Sequence, residues 1–188
     1  MNNDFKILCT GNPDDVGLAQ SIRLIFPTAE FISRTNGYDF FDTSTEHKFR
    51  SRLKDYNVFI NYSWIGCGIQ EKLLRIVAKE WSTGHVINIG STNEDSPILA
   101  KAEPEYTNDK LKLRSASLEL NNEHFKTTHV VVGGFQATSA GSKLNMDPIK
   151  IANTIKWVLE QDFEIPIIGV QQSSDHIRNW VHQQEKTL

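Results

Sequence analysis

The chain has little cysteine. Its 188 residues include only Cys9 and Cys67, both in apolar surroundings, so no disulfide framework is expected. Cys67 and the six histidines do not form a metal-binding pattern either, because no pair has ligand spacing on one element with a third candidate nearby. The sequence therefore predicts no metal site and no metal catalysis.

Long apolar runs and basic runs are also missing. No apolar run reaches the roughly 18 residues that would span a bilayer, and no cationic segment leads into an apolar run near residue 1, so no secretion signal is expected. The formal net charge of −3, without a basic run, gives no reason to expect nucleic acid or an anionic membrane as a partner. We expect a cytoplasmic protein that binds small molecules or other proteins.

The chain does contain six short apolar runs that alternate with segments of helical periodicity. With 39% hydrophobic residues and no linker or repeat, residues 1–188 are expected to form one domain. The alternation predicts an α/β fold, a Rossmann-type doubly wound parallel sheet of about six strands with helices on both faces. A ligand site should then lie at the carboxyl ends of the strands. The predicted strands cover residues 5–11, 30–34, 57–63, 85–91, 129–134 and 164–170.

Several residues mark the ends of the predicted helices. Pro27 stops the first helix, and Thr43 with Glu46 is expected to form a capping box at the start of the second. Apolar residues at helical spacing predict another helix at roughly residues 68–81, and Asp147 with Pro148 opens the last one.

Tyr106 and Lys110 form the first chemical pair. They stand four residues apart, and on a helix this spacing places a phenol and an ammonium group on one face. The cation would ease ionisation of the phenol, whose unperturbed pKa of about 10 otherwise keeps it from acting as an acid or base near neutral pH. The alternative is a chance pair on a solvated helix.

Ser91 extends this pair to three residues. It ends the predicted strand HVINIGS, and a serine there followed by a Tyr-Lys helix resembles the catalytic Ser, Tyr and Lys of the short-chain dehydrogenase/reductase family. The resemblance implies an NAD(P)-dependent oxidoreductase acting on a small carbonyl or alcohol. Tyr106 would donate or accept the proton, Lys110 would lower its pKa and hold ribose hydroxyls, and Ser91 would hold the substrate oxygen. It also implies the sheet order 3-2-1-4-5-6.

The segment TGNPDDVG at the first strand-to-helix turn is similar to the family's T-G-x-x-x-G-x-G motif. Gly11 and Gly17 match the outer glycines, which implies a pyrophosphate site at this turn, but Asp15 replaces the middle glycine and Asp14 precedes it. The two carboxylates would repel a dinucleotide. The alternative is that Asp14 or Asp15 caps the helix and itself occupies the anion site.

Other positions match the family's cofactor-binding residues. Arg34 follows the second strand, where a cation implies NADP(H) rather than NAD(H); a solvated arginine is the alternative. Asp42 matches an acidic residue beside the adenine, and Asn61 matches the first residue of N-N-A-G. Gly134 and Thr138 match P-G-x-x-x-T after the fifth strand.

The sequence departs from the family in ways that favour a second hypothesis. Tyr62, Ser63 and Trp64 follow Asn61, so a tryptophan replaces the small glycine. The segment before Ser91 and the one after Thr138 are both short, which implies a shallow substrate site. The chain could therefore be a non-catalytic binding or assembly protein that has lost dinucleotide binding.

The Tyr106 helix also bears on assembly. Its apolar residues occupy two faces, one with Leu111, Ser115 and Leu118 and the other with Leu113, Ala116 and Leu120. A helix that packs on one face of a sheet needs only one apolar face, so the second set of residues is available for another contact. Because family members pair through this helix, we expect a homodimer or a larger symmetric homo-oligomer; a monomer is the alternative.

Overall fold

A computed structural model describes residues 5–135 and 146–172. Six parallel strands form one sheet in the order β2-β1-β3-β4-β5-β6. This agrees with the predicted α/β class and the predicted number of strands. The strands are β1 (Ile7–Thr10), β2 (Glu30–Ile32), β3 (Val58–Asn61), β4 (Gly84–Ile89), β5 (Phe125–Val132) and β6 (Ile167–Val170).

Helices cover both faces of the sheet. On one face, α1 and α6 pack on one buried apolar cluster; on the other, α2, α3 and α5 pack on a second cluster. Both faces are thus covered, as the sequence predicts. The helices are α1 (Leu18–Ile25), α2 (Thr43–Leu53), α3 (Ile69–Glu80), α4 (Pro97–Ala102), α5 (Pro104–Leu120) and α6 (Pro148–Leu159).

The predicted strand order is wrong. In the sheet, β3 does not lie outside β2 but pairs with β1, for example through Leu8 and Phe59. All four residues of β3 are buried, whereas β2 has only three residues and only Ile32 is buried. A fully buried strand fits the interior of a parallel sheet and a short, partly exposed one fits its edge. The strand order consequently reverses between β1 and β3.

The start of α6 confirms its predicted cap, whereas the start of α2 differs from the prediction. Asp147 caps α6 by accepting a hydrogen bond from the Ile149 backbone at 2.9 Å, with Pro148 as the first helical residue. Helix α2 is capped by Asp42 rather than by Thr43. The predicted capping box is therefore wrong, and the Glu46 carboxylate pairs with Arg50 and Lys72 instead.

Within the described ranges, no helix is long and apolar enough to cross a membrane. The same residues contain no cluster of three or more His, Cys, Asp or Glu side chains that could hold a metal ion.

Candidate active site

Ser91, Tyr106 and Lys110 meet at the carboxyl edge of the sheet. Ser91 follows the end of β4, while α5 runs past the same edge and carries the other two residues. The Ser91 hydroxyl donates to Asn93 Oδ1 at 3.2 Å, and Ser91 lies near enough to the Tyr106 phenol to lower its pKa. The Lys110 Nζ lies 5.4 Å from the centroid of the Tyr106 ring. The structure thus brings together the three residues that the sequence singles out.

Ser91 is held by a short 3-10 helix at Thr92–Asp95. Its side-chain oxygen accepts a hydrogen bond from the Asn93 backbone at 3.2 Å, and its own backbone N–H donates to Glu94 Oε1 at 2.6 Å. The Ser91 side chain also accepts from the Glu94 backbone, and this bond forms a capping box with the bond from the Ser91 N–H to the Glu94 side chain. The S-x-x-E pattern that signals this box is visible in the sequence at positions 91–94, although Glu94 is not among the predicted site residues.

Behind Ser91, Glu94 forms a buried pair with His129. Both side chains are fully buried, and His129 Nε2 lies 2.8 Å from Glu94 Oε2. Arg114 adds a longer ionic contact to the same carboxylate at 3.8 Å. Gly90 makes room for the pair, because a Cβ there would come within 2.2 Å of His129 Nε2. His129 lies inside an apolar strand, and nothing in the sequence marks it as part of the site.

The environment of Tyr106 disfavours ionisation. Burial raises the pKa of its phenol, the nearby Ser91 side chain lowers it, and the carboxylates of Glu103 and Glu94 raise it again. Its ring meets Trp64 edge-on, with centroids 4.9 Å apart. The net direction is opposite to the depressed pKa that the Tyr-Lys pair predicts, because burial outweighs the stabilising contacts. The phenol of Tyr106 is therefore held in its protonated form.

Lys110 is buried, with 2% of its surface exposed. Its Nζ donates hydrogen bonds to Gln70 Oε1 and to the Ile89 carbonyl, each at 2.7 Å. Burial lowers its pKa to about 7, against the opposing charges of Glu94 and Asp109. The ammonium thus uses two of its three donors within the chain. Gln70 is not among the predicted site residues, although a glutamine beside Ile69 on an apolar helix face is a usable signal.

Asn61 ties this part of the site to the sheet. Its side-chain nitrogen donates to the Gln70 carbonyl at 2.8 Å and to Asn88 Oδ1 at 3.0 Å. In return, Gln70 Nε2 donates to the Asn61 carbonyl at 2.9 Å. Asn88 lies buried inside β4 and donates to Ser117 Oγ at 3.2 Å. This network fixes Gln70, whose side-chain oxygen accepts a hydrogen bond from the Lys110 amine.

The turn before α1 leaves the start of that helix without a side-chain cap. The capping position is Gly17, at φ 140°, and no side chain bonds to the first helical amides. Asp14 instead pairs with Arg23 at 3.0 Å, and Asp15 is exposed. Neither carboxylate caps the helix, so that alternative is wrong. The amides at this helix start remain suited to an anion.

Tyr62 covers the end of β1. The Thr10 hydroxyl accepts hydrogen bonds from the backbone N–H groups of Tyr62 and Ser63, at 2.8 and 2.9 Å. The Tyr62 ring lies against Gly11, where a Cβ would come within 3.0 Å of the ring. Gly11 has φ 123°, a value that other residues rarely adopt.

Trp64 is fixed beside Tyr106 although 42% of its surface is exposed. Its indole N–H donates to Asp109 Oδ2 at 3.1 Å, and the same oxygen accepts the Gly68 backbone N–H at 3.1 Å. Through Asp109, the loop before α3 is tied to the helix that carries Tyr106 and Lys110.

Comparisons with known proteins identify the fold. No family model matches the sequence, and no curated protein is similar to it. Many solved structures match, and three of them each cover at least 90% of this chain with at least 94% of their own length. They are a short-chain dehydrogenase from Streptomyces avermitilis (16% identity, TM-score 0.62), an alcohol dehydrogenase specific for bulky-bulky ketones from Comamonas testosteroni (13%, 0.69), and a metagenomic short-chain oxidoreductase in complex with NADP (16%, 0.69).

The chain has the short-chain dehydrogenase/reductase fold. At these identities the comparison establishes the architecture, and the chemistry has to be argued from the site itself.

Within the short-chain dehydrogenase fold, the remaining predicted cofactor residues are spread along the carboxyl edge. Arg34 is exposed and follows β2 directly. Asp42 caps α2, and hydrogen bonds from Ser44 lower the pKa of its carboxyl. Gly134 follows β5 and accepts a hydrogen bond from the Met146 backbone at 3.0 Å. Thr138 lies outside the described residues.

Proposed function

We propose that the protein is an NAD(P)-dependent oxidoreductase of short-chain dehydrogenase type that acts on a small carbonyl or alcohol. The observation that carries the proposal is the meeting of Ser91, Tyr106 and Lys110 at the carboxyl edge, with Lys110 Nζ 5.4 Å from the Tyr106 ring centroid and Ser91 near the phenol. These residues come from two separate elements, and parallel α/β sheets bind ligands at this edge.

In the proposed reaction each of the three residues has a distinct role. Tyr106 stays protonated because of its burial and delivers the proton to the carbonyl oxygen during reduction. Ser91, fixed by its capping box, donates a hydrogen bond to the same oxygen. Lys110 supplies positive charge below the Tyr106 ring, which favours the phenolate that forms. The dinucleotide, when bound, supplies the hydride.

Cofactor binding is supported by one part of the site and opposed by another. The start of α1, uncapped and preceded by Gly17, suits a pyrophosphate. Arg34, exposed at the end of β2, supports NADP(H) over NAD(H). Asp15 adds an unfavourable charge at the same turn, and the ring of Tyr62 covers Gly11.

Titration with NADPH and NADH, followed by tryptophan fluorescence, tests the cofactor. Trp64 contacts Tyr106 and serves as the reporter, while a Trp64→Phe variant identifies its share of the signal. We expect saturable binding that is tighter for NADPH, and Arg34→Ala should remove the preference. A preference that survives Arg34→Ala would refute the role of Arg34. The same protein with a panel of small aldehydes and ketones should oxidise NADPH.

A second candidate is a non-catalytic binding or assembly protein. The observation that favours it is the double hydrogen bond of Lys110 to Gln70 and Ile89, which gives the lysine a structural role without any cofactor. Under this candidate, neither dinucleotide binds at millimolar concentration and no carbonyl is reduced.

A further inference from the structure

The space between β1 and β3 is the natural ligand crevice of this sheet. The strand order reverses there, because β2 lies on one side of β1 and β3 to β6 lie on the other. In open α/β sheets, ligands bind outside the carboxyl ends of the strands at such a point of reversal. A dinucleotide bound here extends from the turn before α1 to the residues that carry the chemistry.

The side chain of Tyr62 fills this crevice. Tyr62 is the first residue after β3, and its ring lies against Gly11, which is the first residue after β1. The ring also packs on the apolar cluster beneath the sheet edge. It is thus a packed side chain, held from both strands, rather than one that extends into solvent.

The backbone holds Tyr62 in this position. The Thr10 hydroxyl accepts the N–H groups of Tyr62 and Ser63, at 2.8 and 2.9 Å, and so joins the exit of β3 to the end of β1. Because the backbone is fixed on both sides, the ring can leave the crevice only by rotation of its own side chain.

Titratable groups from both halves of the site lie near the Tyr62 phenol. After burial and Cys9, the groups that raise the pKa of the Tyr62 phenol are Asp15 and Tyr106. Asp15 lies in the turn before α1, whereas Tyr106 belongs to the proposed catalytic group. Tyr62 therefore stands between the two regions that a dinucleotide has to contact together.

We infer that Tyr62 determines the ligand specificity of this site, because its ring has to leave the crevice before a dinucleotide can bind across it. The inference rests on the proposed function, in which a dinucleotide is the ligand. With the ring in place, the turn before α1 and the Ser91–Tyr106–Lys110 group are separate sites for small ligands. The affinity for NADP(H) is reduced by the free energy needed to expose a packed aromatic ring.

The test is isothermal titration of NADPH into the native protein and four variants. Tyr62→Ala and Tyr62→Val remove the ring, and Val keeps part of the apolar contact should Ala unfold the protein. Tyr62→Phe keeps the ring and removes only the hydroxyl group. Tyr56→Ala is the matched control, since Tyr56 precedes β3 at the opposite edge of the sheet. Thermal unfolding of each variant verifies that it is folded.

We expect the ring-removing variants to bind NADPH about ten- to hundredfold more tightly, the range given by the burial energy of an aromatic side chain. Tyr62→Phe and Tyr56→Ala should bind like the native protein. Unchanged or weaker binding by both folded ring-removing variants would overturn the inference, as would no binding by any protein. A gain shown by Tyr62→Phe would overturn it too, because the hydroxyl would then be the determinant.

These outcomes separate the inference from the proposed function. If the ring-removing variants bind while the native protein does not at millimolar NADPH, the inference stands and the proposed redox activity of the native chain fails. If the native protein and the variants bind equally, the inference fails and the cofactor assignment stands.

Discussion

Tyr106 differs from a chance tyrosine on a helix surface through its contacts. It lies beside Ser91, packs edge-on against Trp64 and has the Lys110 amine 5.4 Å from its ring centroid. These contacts fix the phenol in the site, and its burial raises its pKa and so keeps it protonated, which is the state needed for carbonyl reduction.

Tyr106→Phe should reduce carbonyl turnover by about 10²- to 10⁴-fold, the usual contribution of a positioned acid. The fold and the NADPH affinity should remain near the native values, because only the hydroxyl is lost. Initial rates of NADPH oxidation measure the effect, with Tyr56→Phe as the control. Turnover retained by Tyr106→Phe would exclude Tyr106 as the acid.

Lys110 should make stability depend on pH. Its pKa falls from 10.5 in the unfolded chain to about 7 in the fold, so between pH 7 and 10 the unfolded state binds more protons. The free energy of unfolding should therefore rise with pH, by at most about 1.4 kcal/mol per pH unit from this group. Urea unfolding at pH 7, 8 and 9 measures the slope.

Lys110→Met should flatten this slope, whereas Lys112→Met, which changes an exposed lysine on the same helix, should leave it unchanged. Equal slopes for the native protein and Lys110→Met would show that the Lys110 pKa is not depressed.

At the scale of elements, the turn into α1 combines a favourable helix start with an unfavourable charge. The first amides of α1 have no side-chain cap, while Asp15 stands exposed in the turn before them. The helix dipole attracts an anion and the carboxylate repels it.

Asp15→Gly should tighten NADPH binding by about two- to fivefold, since one exposed charge near a helix start contributes roughly 0.5–1 kcal/mol. Calorimetry at low salt and at 0.5 M salt measures it, and the gain should shrink as salt screens the charge. Asp15→Asn separates charge from backbone effects, and Asp55→Gly, at the opposite edge, is the control. A gain independent of salt would contradict the electrostatic explanation.

The turn after β4 contains Gly90, where there is no space for a side chain. A Cβ at Gly90 would lie 2.2 Å from His129 Nε2 and 2.5 Å from Glu94 Oε1. Gly90→Ala should therefore destabilise the protein by about 1–3 kcal/mol, as overpacking of a buried site does.

Gly169 provides the comparison, because no heavy atom among the described residues lies within 4 Å of a Cβ built there. Gly169→Ala should change the free energy of unfolding by less than about 0.5 kcal/mol. Equal effects of the two substitutions in urea unfolding would contradict the packing around Gly90.

In this protein the sequence predicts the positions of strands and helices better than the order of the strands in the sheet. Apolar runs place all six strands, and the four-residue spacing places Tyr106 and Lys110 on one helix. Strand order depends on which side of β1 the chain returns to, and local pattern does not encode that choice. Similarly, Gln70 and His129 acquire their roles only when distant elements pack together, and Tyr62 reads as an ordinary aromatic residue at a strand end.

At the scale of the whole molecule, α5 is apolar on two faces. The face with Leu113 and Ala116 is buried in the core, as expected for one of the two predicted faces. The other presents Leu111 and Leu118, which are 42% and 45% exposed. We propose that this outer face forms the interface of a homodimer.

Leu118→Glu should convert the dimer to a monomer of 21.4 kDa without unfolding it, because a charge at an apolar interface is costly to desolvate. Leu24→Glu is the matched control, since Leu24 is 68% exposed on α1. Light scattering at micromolar concentration measures the mass, and circular dichroism verifies the fold. A native protein that is already monomeric would contradict the proposal.

The strand order also bears on how the chain folds during synthesis on the ribosome. Every strand after β1 pairs with one that precedes it in the chain: β2 and β3 with β1, β4 with β3, β5 with β4 and β6 with β5. When each strand is synthesised, the strand with which it pairs has therefore already been synthesised, so the sheet can grow in the direction of translation. β1 pairs with two later strands, so growth of the sheet in both directions depends on this one strand.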